Sequence, residues 1–285
     1  MEASELTLRP VRPADRERVL EITADIWDGH DYLPSVFDDW VADPSSTFQA
    51  VEVEGVVAGL QRTRPLNRQV AFYEGLRVAS SHRRLGLARA MLGSAVAEAT
   101  SAGFLEMRLV TGNLDAIPLF ESLGFRRLCR MGFWHAGRVE GGEPARIPAP
   151  TEAPDLFGKL AADPALGAYG GTHGDWQRPL PLDAAELAAL AAEGRLRAGA
   201  GGRSLAILRA GSHTRLYASL VSGSGAGLRD LLMALRFEAD ADNLEGATVI
   251  APLLHPAAAD FRAVGYDDPR DGEDGFFIYA LRLKP

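Results

Sequence analysis

A loop between an apolar strand and an amphipathic helix carries the residues best suited to chemistry. Arg83-x-x-Gly86-x-Ala88 follows the apolar segment that ends at Val78. A helix that starts inside this loop leaves unpaired N–H groups aimed at one point, with the positive end of its dipole behind them. Arginines add bidentate phosphate contacts, and small residues let an anion approach. An ordinary strand-to-helix turn is the alternative. We predict a pyrophosphate site at Arg83, Arg84, Leu85, Gly86, Leu87, Ala88 and Arg89.

A second block follows at a fixed distance. Glu106–Val110 reads as a strand and precedes Asn113-x-x-Ala116-x-x-x-Phe120-x-x-x-Gly124-Phe125. In this order, the two blocks resemble the acyl-CoA-binding motifs of the GNAT acetyltransferase superfamily, over residues 5–138. The resemblance implies an α/β (α+β) GNAT fold, acetyl-CoA as the acyl donor and no metal.

The resemblance also implies roles for single residues. Two parallel strands, Gln69–Val78 and Glu106–Val110, are expected to splay apart around the pantetheine arm of the donor. Backbone groups of Leu76, Arg77 and Val78 would bind this arm from one side and Asn113 from the other. Phe120 stands where the family usually has the tyrosine that protonates the leaving thiolate. Phenylalanine has no proton to donate, which leaves water, Tyr32 or Tyr73 for that step, and Phe120 would pack against the pantetheine.

Glu74 is the candidate general base. In a regular strand, residues 72, 74, 76 and 78 share one face, so Glu74 would point toward the acyl site. Burial among apolar neighbours would raise the pKa of this carboxyl and suit it to accept a proton. The alternative is an ion pair between Glu74 and a nearby arginine.

The acceptor amine is expected near Asp31, Tyr32 and Tyr73. A carboxylate beside aromatic rings suits a cationic group, although Asp31-Tyr32-Leu33-Pro34 would equally serve as a loop anchor. This segment, Glu74–Val78 and Asp175-Trp176-Gln177 resemble the histidine N-acetyltransferase subgroup. That resemblance implies a free amino acid such as histidine as acceptor, and a second GNAT-like half. Trp176 would reach into the first domain's cleft or brace an interface.

Composition narrows the function classes. The chain has 285 residues and a net charge of −8, which disfavours nucleic-acid binding. A single cysteine, Cys129, excludes a disulfide framework, and the six histidines show no ligand spacing. An acidic N-terminus and the lack of a long apolar run predict a cytoplasmic protein without a membrane span. We therefore expect a small-molecule partner, with a homodimer left open.

The C-terminal half repeats the first. Gly227 lies 141 residues after Gly86, and Gly265 lies 141 residues after Gly124, a periodicity typical of duplicated units. The second copy lacks Arg or Gln at the first loop position, so it is expected not to bind CoA. We predict a GNAT domain at 1–140, a proline-rich linker at 141–157 and a degenerate GNAT-like domain at 158–285. A non-catalytic acyl-CoA sensor and a protein or peptide N-acetyltransferase remain alternatives.

Overall fold

The chain forms two compact units. The computed structural model describes residues 6–211, 214–269 and 275–284. Unit 1 comprises Met1–Arg126 with Tyr279–Pro285, and unit 2 comprises Arg127–Ile278. The boundary follows the first residue of strand β6 (Arg126–Gly137) and so differs from the predicted one at residue 140, because β6 pairs with a strand of unit 2. His213 and residues 1–5, used in the sequence analysis, lie outside the described residues.

Unit 1 combines a mostly antiparallel sheet with helices on both faces. Its elements are β1 Leu6–Pro10, α1 Arg16–Thr23, α2 Leu33–Ala42, β2 Thr47–Val53, β3 Val56–Pro65, β4 Val70–Val78, α3 Leu87–Ser101, β5 Glu106–Thr111 and α4 Ile117–Ser122. The strand order is β1-β2-β3-β4-β5, followed by the end of β11 (Gly275–Arg282). Within β1–β5, neighbouring strands pair antiparallel except for β4 and β5, which pair in parallel. This pair frames the predicted donor site.

Local sequence accounts for the turns that hold this sheet. Glu54 and Gly55 join β2 to β3 with φ values of 53° and 78°, the left-handed pair that a tight hairpin requires. Pro118 falls in the first turn of α4, where its missing N–H costs no hydrogen bond. A 3-10 turn, Leu114–Ala116, precedes α4, and Asn113 caps this turn by accepting the N–H of Asp115 on its side chain.

A bulge in β4 changes which side chains share a face. Leu60 pairs with Arg77 but Arg62 pairs with Glu74, so β4 has one extra residue around Gly75, whose φ is +70°. A β-bulge of this kind breaks the two-residue alternation. Glu74 therefore shares its face with Arg77, and the prediction that it shares one with Leu76 and Val78 is wrong.

The two faces of β4 lie against different helices. Leu76 and Val78 pack with Leu87 and Met91 of α3. The opposite face carries a core that includes Leu60 and the side chains of α1 and α2. Glu74 and Arg77 consequently lie on the α2 side of the sheet.

Unit 2 has its own strand and helix sequence. Its elements are β6, α5 Ala153–Ala161, α6 Pro164–Ala168, α7 Ala184–Ala192, β7 Leu196–Ala198, β8 Leu205–Leu208, β9 Leu216–Ser222, α8 Gly225–Ala241, β10 Gly246–Pro252, α9 Ala258–Ala263 and the start of β11. The strands are ordered β11-β6-β10-β9-β8-β7. The run β9-α8-β10-α9-β11 is compatible with a second GNAT-like half. The predicted linker 141–157 is shorter than expected, since α5 begins at Ala153.

Candidate active site

The N-terminus of α3 is open to solvent. Gly86 precedes the helix with φ +83°, and among the described residues no side chain caps it. The first helical bond runs from the Ala90 N–H to the Gly86 carbonyl, so the preceding amides of Leu87, Ala88 and Arg89 have no intrahelical acceptor. A Cβ built on Gly86 would meet nothing within 4 Å. This helix end has the space and the donors that an anion needs.

Three exposed arginines surround this helix end. Arg83 donates from Nε to the Val78 carbonyl at 3.2 Å, and Arg89 donates from Nη2 to Ser122 Oγ at 2.7 Å. Arg84 has a left-handed φ of 64°. Positive charge is therefore concentrated where the amides of α3 converge, with Arg83 and Arg89 held in place by neighbours.

The strands β4 and β5 stop pairing beside this loop. Their pairing runs from Val70–Glu106 to Tyr73–Leu109, while β4 continues to Val78. The carbonyls of Leu76 and Val78 accept bonds from the Arg77 and Arg83 side chains. On the β5 side, exposed Asn113 follows the strand and caps the next turn with its side-chain oxygen. The expected opening between the two strands thus begins after Tyr73.

Glu74 forms the ion pair that was the alternative to a free base. Its Oε1 accepts Arg62 Nη1 at 2.7 Å and Arg64 Nε at 2.8 Å. Its Oε2 makes no polar contact within the described part of the chain. Arg62 also bonds Ser46 Oγ at 3.0 Å and contacts Asp43. The pairing of β3 with β4 in a hairpin was the signal that could have placed Arg62 opposite Glu74.

Asp31 acts as a loop anchor. Its carboxylate binds Arg77 through two bonds of 2.6 and 2.8 Å, and its Oδ1 also accepts the Leu33 N–H at the start of α2. The Arg77 guanidinium lies over the rings of Trp27 and Tyr32, 4.9 and 5.3 Å from their centroids. Burial of the hydroxyl raises the pKa of Tyr32, and the Arg77 charge opposes this shift. Trp27 was missed by the sequence analysis because only the tertiary fold brings it to Arg77.

Tyr73 lies on the other face of the sheet. The residue is 2% exposed, and its hydroxyl donates to Gln61 Oε1 at 3.1 Å. Burial raises its pKa. The structure therefore brings Asp31, Tyr32 and Glu74 to one side of β4 and leaves Tyr73 on the side of α3.

Phe120 is buried at the sheet with a tyrosine beside it. Its ring lies 6.3 Å from Phe125 and 6.4 Å from Tyr279, centroid to centroid. Tyr279 comes from β11, is fully buried, and donates its hydroxyl to Glu121 Oε1 at 3.0 Å. Tyr279 could not be predicted here from the sequence, because this residue lies far along the chain from Phe120. Glu121 thereby orients the phenol nearest to Phe120.

Other site classes find no support in the described ranges. Residues 6–211, 214–269 and 275–284 contain no group of three or more His, Cys, Asp or Glu side chains suited to a metal ion. Within the same ranges, every helix is too short or too polar to cross a bilayer. Trp176 of unit 2 packs against Phe133, Tyr217 and Phe276 of that same unit.

Comparison with known proteins identifies the type of domain. Residues 16–125 match the model of the Acetyltransferase (GNAT) family. Unit 1 has the GNAT fold. The chain resembles an acetyltransferase-class protein of known structure from Thermoplasma acidophilum, with a TM-score of 0.59 and 13% identity over 97% of this chain and 99% of that one. A GCN5-related N-acetyltransferase from Kribbella flavida gives a TM-score of 0.52 and 13% identity over 98% and 71% of the two chains. At these identities the likeness concerns the fold.

Curated relatives match about a third of this chain or less. Human "Probable N-acetyltransferase 16" is 37% identical over 73 residues, or 25% of this chain and 20% of its own length. Rat "N-acetyltransferase family 8 member 2" is 32% identical over 100 residues, or 34% and 42%. The chain thus spans less than half the length of either relative. These matches support the predicted acyltransferase class.

Proposed function

We propose that this chain transfers an acetyl group from acetyl-CoA to the primary amine of a small molecule, including free amino acids such as histidine. The observation that carries the proposal is the unpaired end of β4 beside the open N-terminus of α3. The amides and arginines there suit the donor's diphosphate, and the unpaired strand edge suits its amide-bearing arm. No metal is required by this chemistry.

The reaction requires positioning more than activation. The neutral amine nitrogen attacks the thioester carbon, an amide forms, the thiolate leaves, and the amine loses a proton. Glu74 is the proposed acceptor of that proton, directly or through water. Arg62 and Arg64 donate to Oε1, so these ion pairs fix the carboxylate's orientation, and Oε2 is the oxygen proposed to take the proton.

One observation favours a second candidate, a non-catalytic acyl-CoA sensor. Phe120 carries no proton for the thiolate, and the nearest phenol, Tyr279, is fully buried. A sensor would bind acetyl-CoA through the same loop without consuming it. Transfer to a protein or peptide amine is the remaining alternative within the enzyme class.

Acetyl-CoA consumption with a panel of amino acids, simple amines and peptides tests the proposal. We expect turnover with a small amine, and Glu74→Gln should lower kcat by about 100-fold with little change in KM for acetyl-CoA. Glu21→Gln is the matched control, since Glu21 also pairs with an arginine, Arg18 at 2.6 Å, but lies on α1. Retained acetyl-CoA binding without turnover on any amine would favour the sensor. Turnover on peptides alone would favour transfer to a protein or peptide amine.

A further inference from the structure

Two exposed aromatic rings beside Arg77 are not used by the acetyl-transfer step. We infer, resting on the proposed function, that Trp27 and Tyr32 form a platform that selects acceptor amines carrying a flat aromatic ring. We call this pair the Trp27–Tyr32 platform.

Both residues are partly exposed, and their rings are nearly parallel. Trp27 is 54% exposed and Tyr32 is 40% exposed. Their centroids lie 6.1 Å apart with 23° between the ring planes. Large aromatic side chains are usually buried in the absence of a ligand or partner. A pair with more than a third of each residue exposed is therefore a surface prepared for contact.

The backbone holds Trp27 in an unusual conformation. Trp27, Asp28 and Gly29 have φ values of 49°, 54° and 84°. Left-handed geometry is rare for a bulky residue and persists where surrounding contacts enforce it, often at functional sites. Here the Trp27 carbonyl accepts the His30 N–H at 3.0 Å. The indole is thus directed by its backbone rather than by burial.

The platform lies over the α2-side face of the unpaired β4 segment. Leu76 and Val78 are covered by α3, whereas Arg77 points to the α2 side, beneath Trp27 and Tyr32. An acceptor that reaches the thioester from the α2 side therefore passes over these rings. Its reactive amine would approach Glu74 while the remainder of the molecule lies on the platform.

Charge decides which group the platform takes. The Arg77 cation already lies against both rings, and Asp31 is committed to Arg77 through two bonds. The Arg77 guanidinium thus already occupies the cation–π position on these rings, and a second cation placed there would be repelled by it at close range. A neutral aromatic ring stacks there without that cost. The acceptor class is therefore an amine linked to an uncharged flat ring.

Two amines of equal chain length test this inference. Binding of 2-phenylethylamine and 2-cyclohexylethylamine to the full chain is measured by calorimetry in the presence of CoA. We expect about 2- to 10-fold tighter binding of the phenyl compound. Trp27→Leu should abolish the difference, Trp27→Phe should keep most of it, and Leu20→Ala, a similarly exposed site on α1 (41%), should leave it unchanged.

Turnover of both amines is measured in parallel, so that the two proposals fail separately. Equal affinity for the two amines, binding of neither, or an unchanged preference in Trp27→Leu would overturn the platform. If both amines are nevertheless acetylated with equal KM, the proposed function stands although the platform does not. A phenyl preference in binding that Trp27→Leu removes, without acetylation of any amine, would support the platform and overturn the proposed function.

Discussion

Helix α3 of unit 1 follows β4 and helix α8 of unit 2 follows β9, and the two helices begin differently. In unit 1, the first amides of α3 face solvent, next to exposed Arg83, Arg84 and Arg89. In unit 2, the loop before α8 is occupied by carboxylates of the chain itself. The Gly223 N–H donates to Asp163 Oδ2 at 2.7 Å, and the Gly225 N–H donates to Asp260 Oδ2 at 2.8 Å.

The difference shows how a helix end with anion-binding geometry can become structural. A carboxylate presents the same kind of acceptor oxygens as a phosphate to backbone amides. Arg229 of α8 is also engaged, donating to Asp260 Oδ1 at 2.7 Å. In unit 2, carboxylates of the chain itself therefore occupy the amides and the arginine that an anion would need. This gives a physical reason to expect that only unit 1 binds the donor.

The largest expected effect is on donor binding at Gly86. Gly86→Glu places a negative charge among the α3 amides and should weaken acetyl-CoA binding by at least about 10-fold relative to Gly86→Gln. Both variants carry the same cost of a side chain at positive φ, so their difference isolates charge. Calorimetry with CoA measures it. The pair Ser224→Glu and Ser224→Gln in unit 2 should show no such difference, and equal affinities at residue 86 would remove the donor site from α3.

An intermediate effect is expected from emptying the loop of unit 2. Asp163→Asn with Asp260→Asn removes both carboxylates and should lower the free energy of unfolding by about 1–3 kcal/mol. Without the two negative charges these amides should bind sulfate in place of the weaker amide acceptors, so sulfate should raise the Tm of the double variant more than that of the wild type. Asp183→Asn at the N-cap of α7 is the control. An identical sulfate response in all three proteins would contradict the view that these carboxylates stand in for an anion.

The smallest expected effect is a pH dependence near the same loop. His255 is 3% exposed; it accepts the Ala257 N–H on Nδ1, and its Nε2 lies 3.2 Å from the Val221 carbonyl. Burial lowers the pKa of His255, so the unfolded chain takes up the proton first as pH falls. Stability should therefore decrease below the ordinary histidine pKa of about 6.5.

Urea unfolding at pH 7.5 and pH 5.5 measures this dependence. His255→Gln should reduce the loss of stability between the two values, whereas His82→Gln, in the loop before α3, should not. If the His255 variant loses as much stability as the wild type over this range, then the loop of unit 2 does not depend on a neutral histidine.

Motifs in the sequence predict the donor site because local spacing determines the loop that would hold the donor. Gly86 and the apolar pattern of α3 define a strand-to-helix loop without reference to the rest of the chain. The side of the sheet on which Glu74 lies could not be predicted in this way, because one extra residue near Gly75 inverts the alternation of side chains in β4. A Cβ on Gly75 would lie 2.7 Å from the Trp40 ring, a contact that only the folded chain reveals.

The ion pairs and the boundary between the two units could not be predicted from local sequence patterns either. Glu74 and Asp31 both have arginine partners that depend on strand register and on the loop before α2. The boundary at residue 126 depends on β6 pairing with β10, more than 100 residues further along the chain. Repeat spacing drew attention to the loop before α8, but only the contacts of this loop with Asp163 and Asp260 explain what it does.

Strand β11 carries a consequence for how this protein is made. Its last residues lie next to β5 and complete the sheet of unit 1. A fragment ending at Arg126 would expose the backbone edge of β5, the kind of edge that recruits other chains into aggregates. During synthesis on the ribosome, the sheet of unit 1 therefore stays incomplete until residues 279–282 have emerged.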